Sequence, residues 1–259
     1  MPDLKQAPPR MDSWLQKLRY WMRIKSPREM YFYSVLVGIA SGLCAVLFSY
    51  GLAIAESFLM GDLAGLQFTH PPGEISLHHG GEDVVYRPWL LFFLPIMGGL
   101  AVGVIKHFFF FEVSGAGTDD MVRAFHQREG RIRGRSPLFK ALGTIFTLST
   151  GGSGGREGPT AFIGAGIGTW LARMVEAGPR ARRTLLLAGT AAGLGAIFRA
   201  PLGGAIVAME ILYLEDIESD SLVPCIISSV TGYLTFQWVA GPGYLFEVPP
   251  LAFGNFKEI

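Results

Sequence analysis

Residues 151–160 read Gly151-Gly152-Ser153-Gly154-Gly155-Arg156-Glu157-Gly158-Pro159-Thr160. Proline is favoured at the first turn of a helix, where its missing N–H costs nothing, so Pro159 marks a helix start. The glycines before it leave backbone N–H groups free of side-chain cover. A helix N-terminus carries about half a positive charge and exposed amide donors, and behind a glycine loop it forms an anion site made of backbone. Glu157 stands at that N-terminus. Its carboxylate is itself an anion, able to take the place of a bound one and to leave when protonated. That makes Glu157 a candidate gate and proton carrier, against the plainer role of complementing the helix dipole or pairing with Arg156.

The surrounding sequence places this segment in a membrane. Residues 30–55 and 221–246 are each free of charge for 26 positions, and 88–105 for 18. A helix needs about 20 mostly apolar residues to span the hydrocarbon core, so these three can cross. The middle of the chain differs. Runs at 141–155, 158–172, 184–198 and 200–209 are short and interrupted by Arg156, Glu157, Arg173, Arg199 and Glu210. Short apolar segments broken by Gly, Pro and charge point to discontinuous helices meeting near the midplane of a transporter. Irregular backbone at that depth persists only inside protein or along a water-filled cavity.

Composition agrees. Charged residues make up 17% of the 259 and hydrophobic residues 50%, with a mean hydropathy of +0.36. A soluble domain carries about a quarter charged residues. The net charge of +1 gives no basis for nucleic-acid binding. The first 29 residues hold seven Lys or Arg against three acids, 56–87 one against five, and 106–140 seven basic residues. The positive-inside rule puts the N-terminus and 106–140 in the cytoplasm and 56–87 outside. Trp14, Leu15, Leu18, Trp21 and Met22 among the early basic residues predict an amphipathic helix on the inner surface of the cell (inner) membrane, within a segment 1–29. No cleavable signal peptide is expected.

Gly38/Gly42, Gly99/Gly103, Gly164/Gly168 and Gly189/Gly193 are spaced i to i+4, which predicts close helix–helix packing in lipid. Cys44 and Cys225 lie in apolar runs and read as packing residues. The five histidines, His70, His78, His79, His107 and His126, have no metal-site spacing, so neither a metal nor a cofactor is expected. Two further helix starts complete the pattern. One is Ser114-Gly115-Ala116-Gly117-Thr118-Asp119-Asp120, with Thr118 or Asp119 as cap; the other is Phe198-Arg199-Ala200-Pro201-Leu202.

With these residues in view, the chain resembles the CLC family of chloride channels and chloride/proton antiporters over about residues 30–245. Gly155-Arg156-Glu157-Gly158-Pro159 resembles the GREGP signature. Residues 191–204, ending in Ala200-Pro201-Leu202-Gly203-Gly204, resemble the segment that follows it, and Gly115-Ala116-Gly117 falls where GSGxP belongs. The resemblance implies an all-α polytopic membrane protein, the first of two inverted repeats, covering 30–246 with a tail at 247–259. It also implies a homodimer with one anion path per subunit. Chloride or another small anion would be held by helix N-termini, with protons as a second candidate cargo. Glu157 would be the gating glutamate, Arg156 and Gly158 would flank the path, and Gly115, Ala116 and Gly117 would form the central anion loop.

The pattern departs from the family at three points. Ala116 replaces the serine that contacts chloride, Asp119 replaces a proline, and Ile211 stands where antiporters often place an internal proton-transfer glutamate. Glu210, one residue earlier, is the candidate proton path. Voltage-gated channel and antiporter stay open as alternatives. Because only a first half is matched, residues 1–259 alone are expected not to conduct. Two rival readings remain. Ser153 satisfies a G-x-S-x-G nucleophile pattern of an intramembrane serine protease, but no histidine follows it to act as base. A non-transporting membrane scaffold would use the glycines for packing alone.

Overall fold

The computed structural model describes residues 27–66, 74–75, 77, 85–108, 115, 117–212 and 219–243. The expected amphipathic helix (residues 14–22), Ala116, His70, His78, His79 and the tail at 247–259 lie outside the described residues. Every element among those described is helical: α1 Pro27–Glu56 with a π-helical continuation Ser57–Leu63, α2 Pro88–Phe108, α3 Thr118–His126, α4 Ser136–Ser149, α5 Glu157–Met174, α6 Pro179–Ile197, α7 Pro201–Leu212 and α8 Ser219–Ala240. Proline falls within the first three residues of α1, α2, α4, α5, α6 and α7. In that turn a backbone N–H has no intrahelical partner to lose.

Three helices are long and apolar enough to cross a membrane: Arg28–Leu63, Pro88–Phe108 and Asp220–Ala240. They coincide with the three long uncharged runs, although α8 ends at Ala240 and Gly241 turns the chain with φ 88. By contrast α3, α4 and α7 have 9, 14 and 12 residues. At 1.5 Å per residue none spans a core about 30 Å thick. The broken middle of the sequence thus holds short helices, while its two central runs form the longer α5 and α6 of 18 and 19 residues.

The core is centred on α6, where all 14 residues from Thr184 to Ile197 are buried. A helix that is apolar all round belongs in an interior, and α6 packs against α1, α5, α7 and α8. Small residues make the crossings. A Cβ at Gly164 would overlap the Gly189 carbonyl oxygen, and one at Gly189 would overlap that of Gly164. Gly168 faces the Leu185 carbonyl and Gly193 that of Thr160. Two of the predicted pairs therefore face each other across α5 and α6. Gly38 and Gly42 likewise bring α1 onto Thr231 and Gly232 of α8.

The fourth pair is a correction, because a Cβ at Gly99 or Gly103 would meet nothing within 4 Å. Helix α2 lies at the periphery, with only Leu94 and Gly98 buried. It touches α4 through Gly98, which faces Thr150, so the i to i+4 pair points away from the contact. Cys44 is half-buried and Cys225 buried, both as free thiols.

Candidate functional site

The segment 151–157 links the end of α4 to the start of α5. Gly151 takes φ 88, and the amides of Gly151 and Gly152 donate to Leu148 O at 3.0 Å and Thr147 O at 2.8 Å. These bonds close α4 and leave Ser153, Gly154 and Gly155 exposed. Arg156 is the N-cap residue of α5, with no side-chain cap bond. The first closing bond of α5 runs from Thr160 N to Arg156 O at 3.1 Å. The amides of Glu157 and Gly158 lie ahead of it, and Pro159 has none, so this N-terminus presents donors with no intrahelical acceptor.

The Glu157 carboxylate folds back over the loop. A Cβ at Gly155 would overlap Glu157 Oε2, so glycine at 155 makes room for the carboxylate. Among the described residues no hydrogen bond or ion pair holds that carboxylate. Arg156 pairs with Glu74 of the acidic segment instead, and both side chains are partly exposed, at 18% and 23%. The expected alternative of an Arg156–Glu157 pair is not formed.

Two cavities meet at this loop. One, of about 490 Å³, is lined by Lys106, Gly115, Lys140, Thr147, Gly154 and Gly155 among others. The other, of about 330 Å³, is lined by Ser49, Glu56, Glu74, Arg156 and Glu157, again with Gly154 and Gly155. Leu148, Gly154 and Gly155 are common to both. The glycine pair is therefore the partition between them, and Glu157 lies on the Glu74 side of it.

Lys140 was not anticipated as a site residue. It sits within α4, is 2% exposed, and its ammonium donates to the Gly115 carbonyl. A Cβ at Gly117 would lie 3.2 Å from Phe162 Cβ and 3.3 Å from Lys140 Cε. Gly115 is thus held by α4, and Gly117 lies between α4 and α5. As one of seven basic residues over 106–140, Lys140 reads as surface charge in the sequence. Its position at the edge of the uncharged run 141–155 was the available signal, since an ionisable residue inside a membrane helix defaults to function.

The other anticipated residues are placed as follows. Gly115 lines the larger cavity with φ 73, and Gly117, with φ 95, is the N-cap of α3. Left-handed φ is cheap for glycine alone. Thr118 is the first helical residue and no side chain caps α3, which corrects the expectation that Thr118 or Asp119 would. Gly158 is half-buried in the first turn of α5. Glu210 is exposed on α7 and lines neither cavity. Ser153 lines the larger cavity, but His107 and His126 do not.

Together, the fold defines an integral membrane protein of spanning and broken helices around an embedded polar loop. A family model described as voltage gated chloride channel matches residues 98–258, and the chain belongs to that family. An uncharacterized protein of Methanocaldococcus jannaschii is 37% identical over 142 residues, 54% of this chain and 35% of that protein. A chloride/fluoride channel protein of Pseudomonas syringae pv. tomato is 29% identical over 156 residues, 60% of this chain and 34% of its own. Among solved structures, a CLC-type fluoride/proton antiporter superposes with a TM-score of 0.68 at 22% identity, covering 88% of this chain and 51% of that one. A slow cyanobacterial Cl−/H+ antiporter gives 0.64 at 21% identity, covering 83% and 48%. The chain has their fold, and it spans about a third of these relatives' length and about half of these structures'.

Proposed function

We propose that this chain forms the anion-handling half of a membrane transporter for chloride or another small anion, with Glu157 as its gate. The observation that carries this is the shared wall between the two cavities, closed by a carboxylate folded over Gly155. An anion entering the larger cavity meets the Lys140 ammonium and the amides at the start of α5. Deprotonated Glu157 competes for those amides. On protonation its carboxyl has no charge to offer them and moves off Gly155, and the anion takes its place. Arg156, tied to Glu74, fixes the rim of the outer cavity. Gly115 and Gly117, with Ala116 between them, form the inner loop, and Gly158 keeps the first turn of α5 open.

The family membership, the two antiporter-like folds and the relative named for chloride and fluoride support an anion cargo, with protons as a second one in an antiporter. Glu210 stays the candidate internal proton residue, although it lies away from both cavities. Orientation with the N-terminus in the cytoplasm, in the cell membrane, follows from the charge distribution. A homodimer is carried over from the family resemblance. Large apolar residues on α7 and α8, among them Leu202, Ile206, Leu234 and Trp238, are exposed and available to a second copy. The protease reading loses support because neither described histidine shares a cavity with Ser153.

The test is simultaneous chloride, fluoride and proton flux from liposomes holding the full-length protein or its Glu157→Gln variant. A gate predicts altered anion flux with loss of its pH dependence. Unchanged flux and unchanged pH dependence would favour the scaffold reading.

A further inference from the structure

At the end of the molecule away from Glu157, the turn between α3 and α4 forms an open basic pocket of about 840 Å³. Arg128, Arg131, Arg133 and Arg173 line it, with Glu129 as the one acid among the lining residues. The turn is held in place from several sides. Gly130 O accepts from Thr169 Oγ1 at 3.2 Å, and Ile132 O accepts from Arg173 Nη2 at 2.7 Å. A Cβ at Gly130 would come within 3.0 Å of Arg183 N, so the turn is seated on the start of α6.

Four arginines and one acid line the pocket. Glu129 lies 3.5 Å from Arg131 and 3.8 Å from Arg182, so one carboxylate serves two guanidinium groups. Arg182 Nη1 is buried without a hydrogen-bond partner. Beside this charge stands apolar surface. Trp170 and Met174 neighbour Arg173 on α5 and are 52% and 44% exposed, and Leu138 at the start of α4 is 60% exposed. Eighteen residues of α5 rise about 27 Å, enough to carry its C-terminal end from mid-membrane to an interface, where tryptophan is enriched.

We propose that this pocket binds the phosphate of an anionic phospholipid headgroup, with the acyl chains lying along Trp170, Met174 and Leu138. Arginine forks match phosphate oxygens, and basic pockets between membrane helices take anionic headgroups in this way. The site rests on the membrane embedding of the chain and is independent of Glu157 and its gating.

Native mass spectrometry of the full-length protein, titrated with phosphatidylglycerol or phosphatidylcholine, tests the assignment. The expected result is one preferentially retained phosphatidylglycerol per chain. At roughly fivefold per arginine near a headgroup, Arg131→Gln/Arg133→Gln lowers that affinity about 25-fold and leaves phosphatidylcholine binding unchanged. Arg180→Gln, which removes an exposed arginine paired with Asp220, is the control and leaves both unchanged. If the double variant does not fold, Arg131→Gln alone carries the comparison with a fivefold loss, its side chain being 65% exposed. Equal retention of the two lipids, or a preference that survives the substitution, overturns the site. Sodium pyrophosphate binding as tightly as phosphatidylglycerol overturns the lipid assignment in favour of a soluble phosphate.

Discussion

Glycine works in opposite ways in two parts of this molecule. Where α5 crosses α6, Gly164 and Gly168 face Gly189 and Gly193 so closely that a Cβ would overlap a backbone carbonyl. Between α4 and α5, Gly154 and Gly155 are exposed and border two cavities. In the first region the missing side chain lets two backbones touch. In the second it leaves space that the Glu157 carboxylate fills beside Gly155. What separates the two uses is the opposing surface, which composition does not record.

Substitutions can break the comparison at either end. The largest effect is expected from Gly189→Leu, which drives a side chain into the α5 backbone where nothing flexible can yield. Overpacking of this kind costs 1–3 kcal/mol where neighbours can move and more where they cannot. The expected outcome is loss of the monodisperse protein in size-exclusion chromatography. Lys140→Met comes next. It keeps the volume of α4 but removes the ammonium beside Gly115, and halide affinity in calorimetric titration should fall at least about tenfold. Unchanged affinity would remove Lys140 from the anion path.

Glu74→Gln should have a smaller effect. It releases Arg156 at the rim and takes one negative charge from the smaller cavity. Partly exposed ion pairs contribute about 1 kcal/mol or less, so halide affinity should rise by no more than about fivefold. The smallest effect is expected from Gly99→Leu. The space there is open and the substituted helix gains apolar surface, so thermal stability in detergent should stay within about 0.5 kcal/mol of the parent. A collapse like that of Gly189→Leu would show that α2 packs on a partner through this face.

Much of this was legible before the structure. The three spanning helices follow from uncharged length, and the short helices from Gly, Pro and charge at 151–159 and 198–204. The start of α5 was readable from Pro159 because helix-end chemistry is local; the room that Gly155 leaves for the Glu157 carboxylate was not. Non-local facts were not. Gly164 and Gly189 are paired by the fold, and the spacing that singled them out also selected Gly99 and Gly103, which face no neighbour. The place of Lys140 at the edge of an apolar run marked it for notice, but its inward turn to the Gly115 carbonyl is set by the fold and not by the run. The Glu74–Arg156 pair joins residues from separate segments, and nothing in either segment alone announces the other.

The central claim is that the Glu157 carboxylate occupies a place an anion can take. Crystals of the full-length protein and of Glu157→Gln, grown in bromide at neutral pH, test it by anomalous scattering. The account predicts a bromide peak beside Gly155 at the N-terminus of α5 in the variant, and a carboxylate there without bromide in the parent. Equal bromide occupancy in both proteins, or none at that position in either, would contradict it.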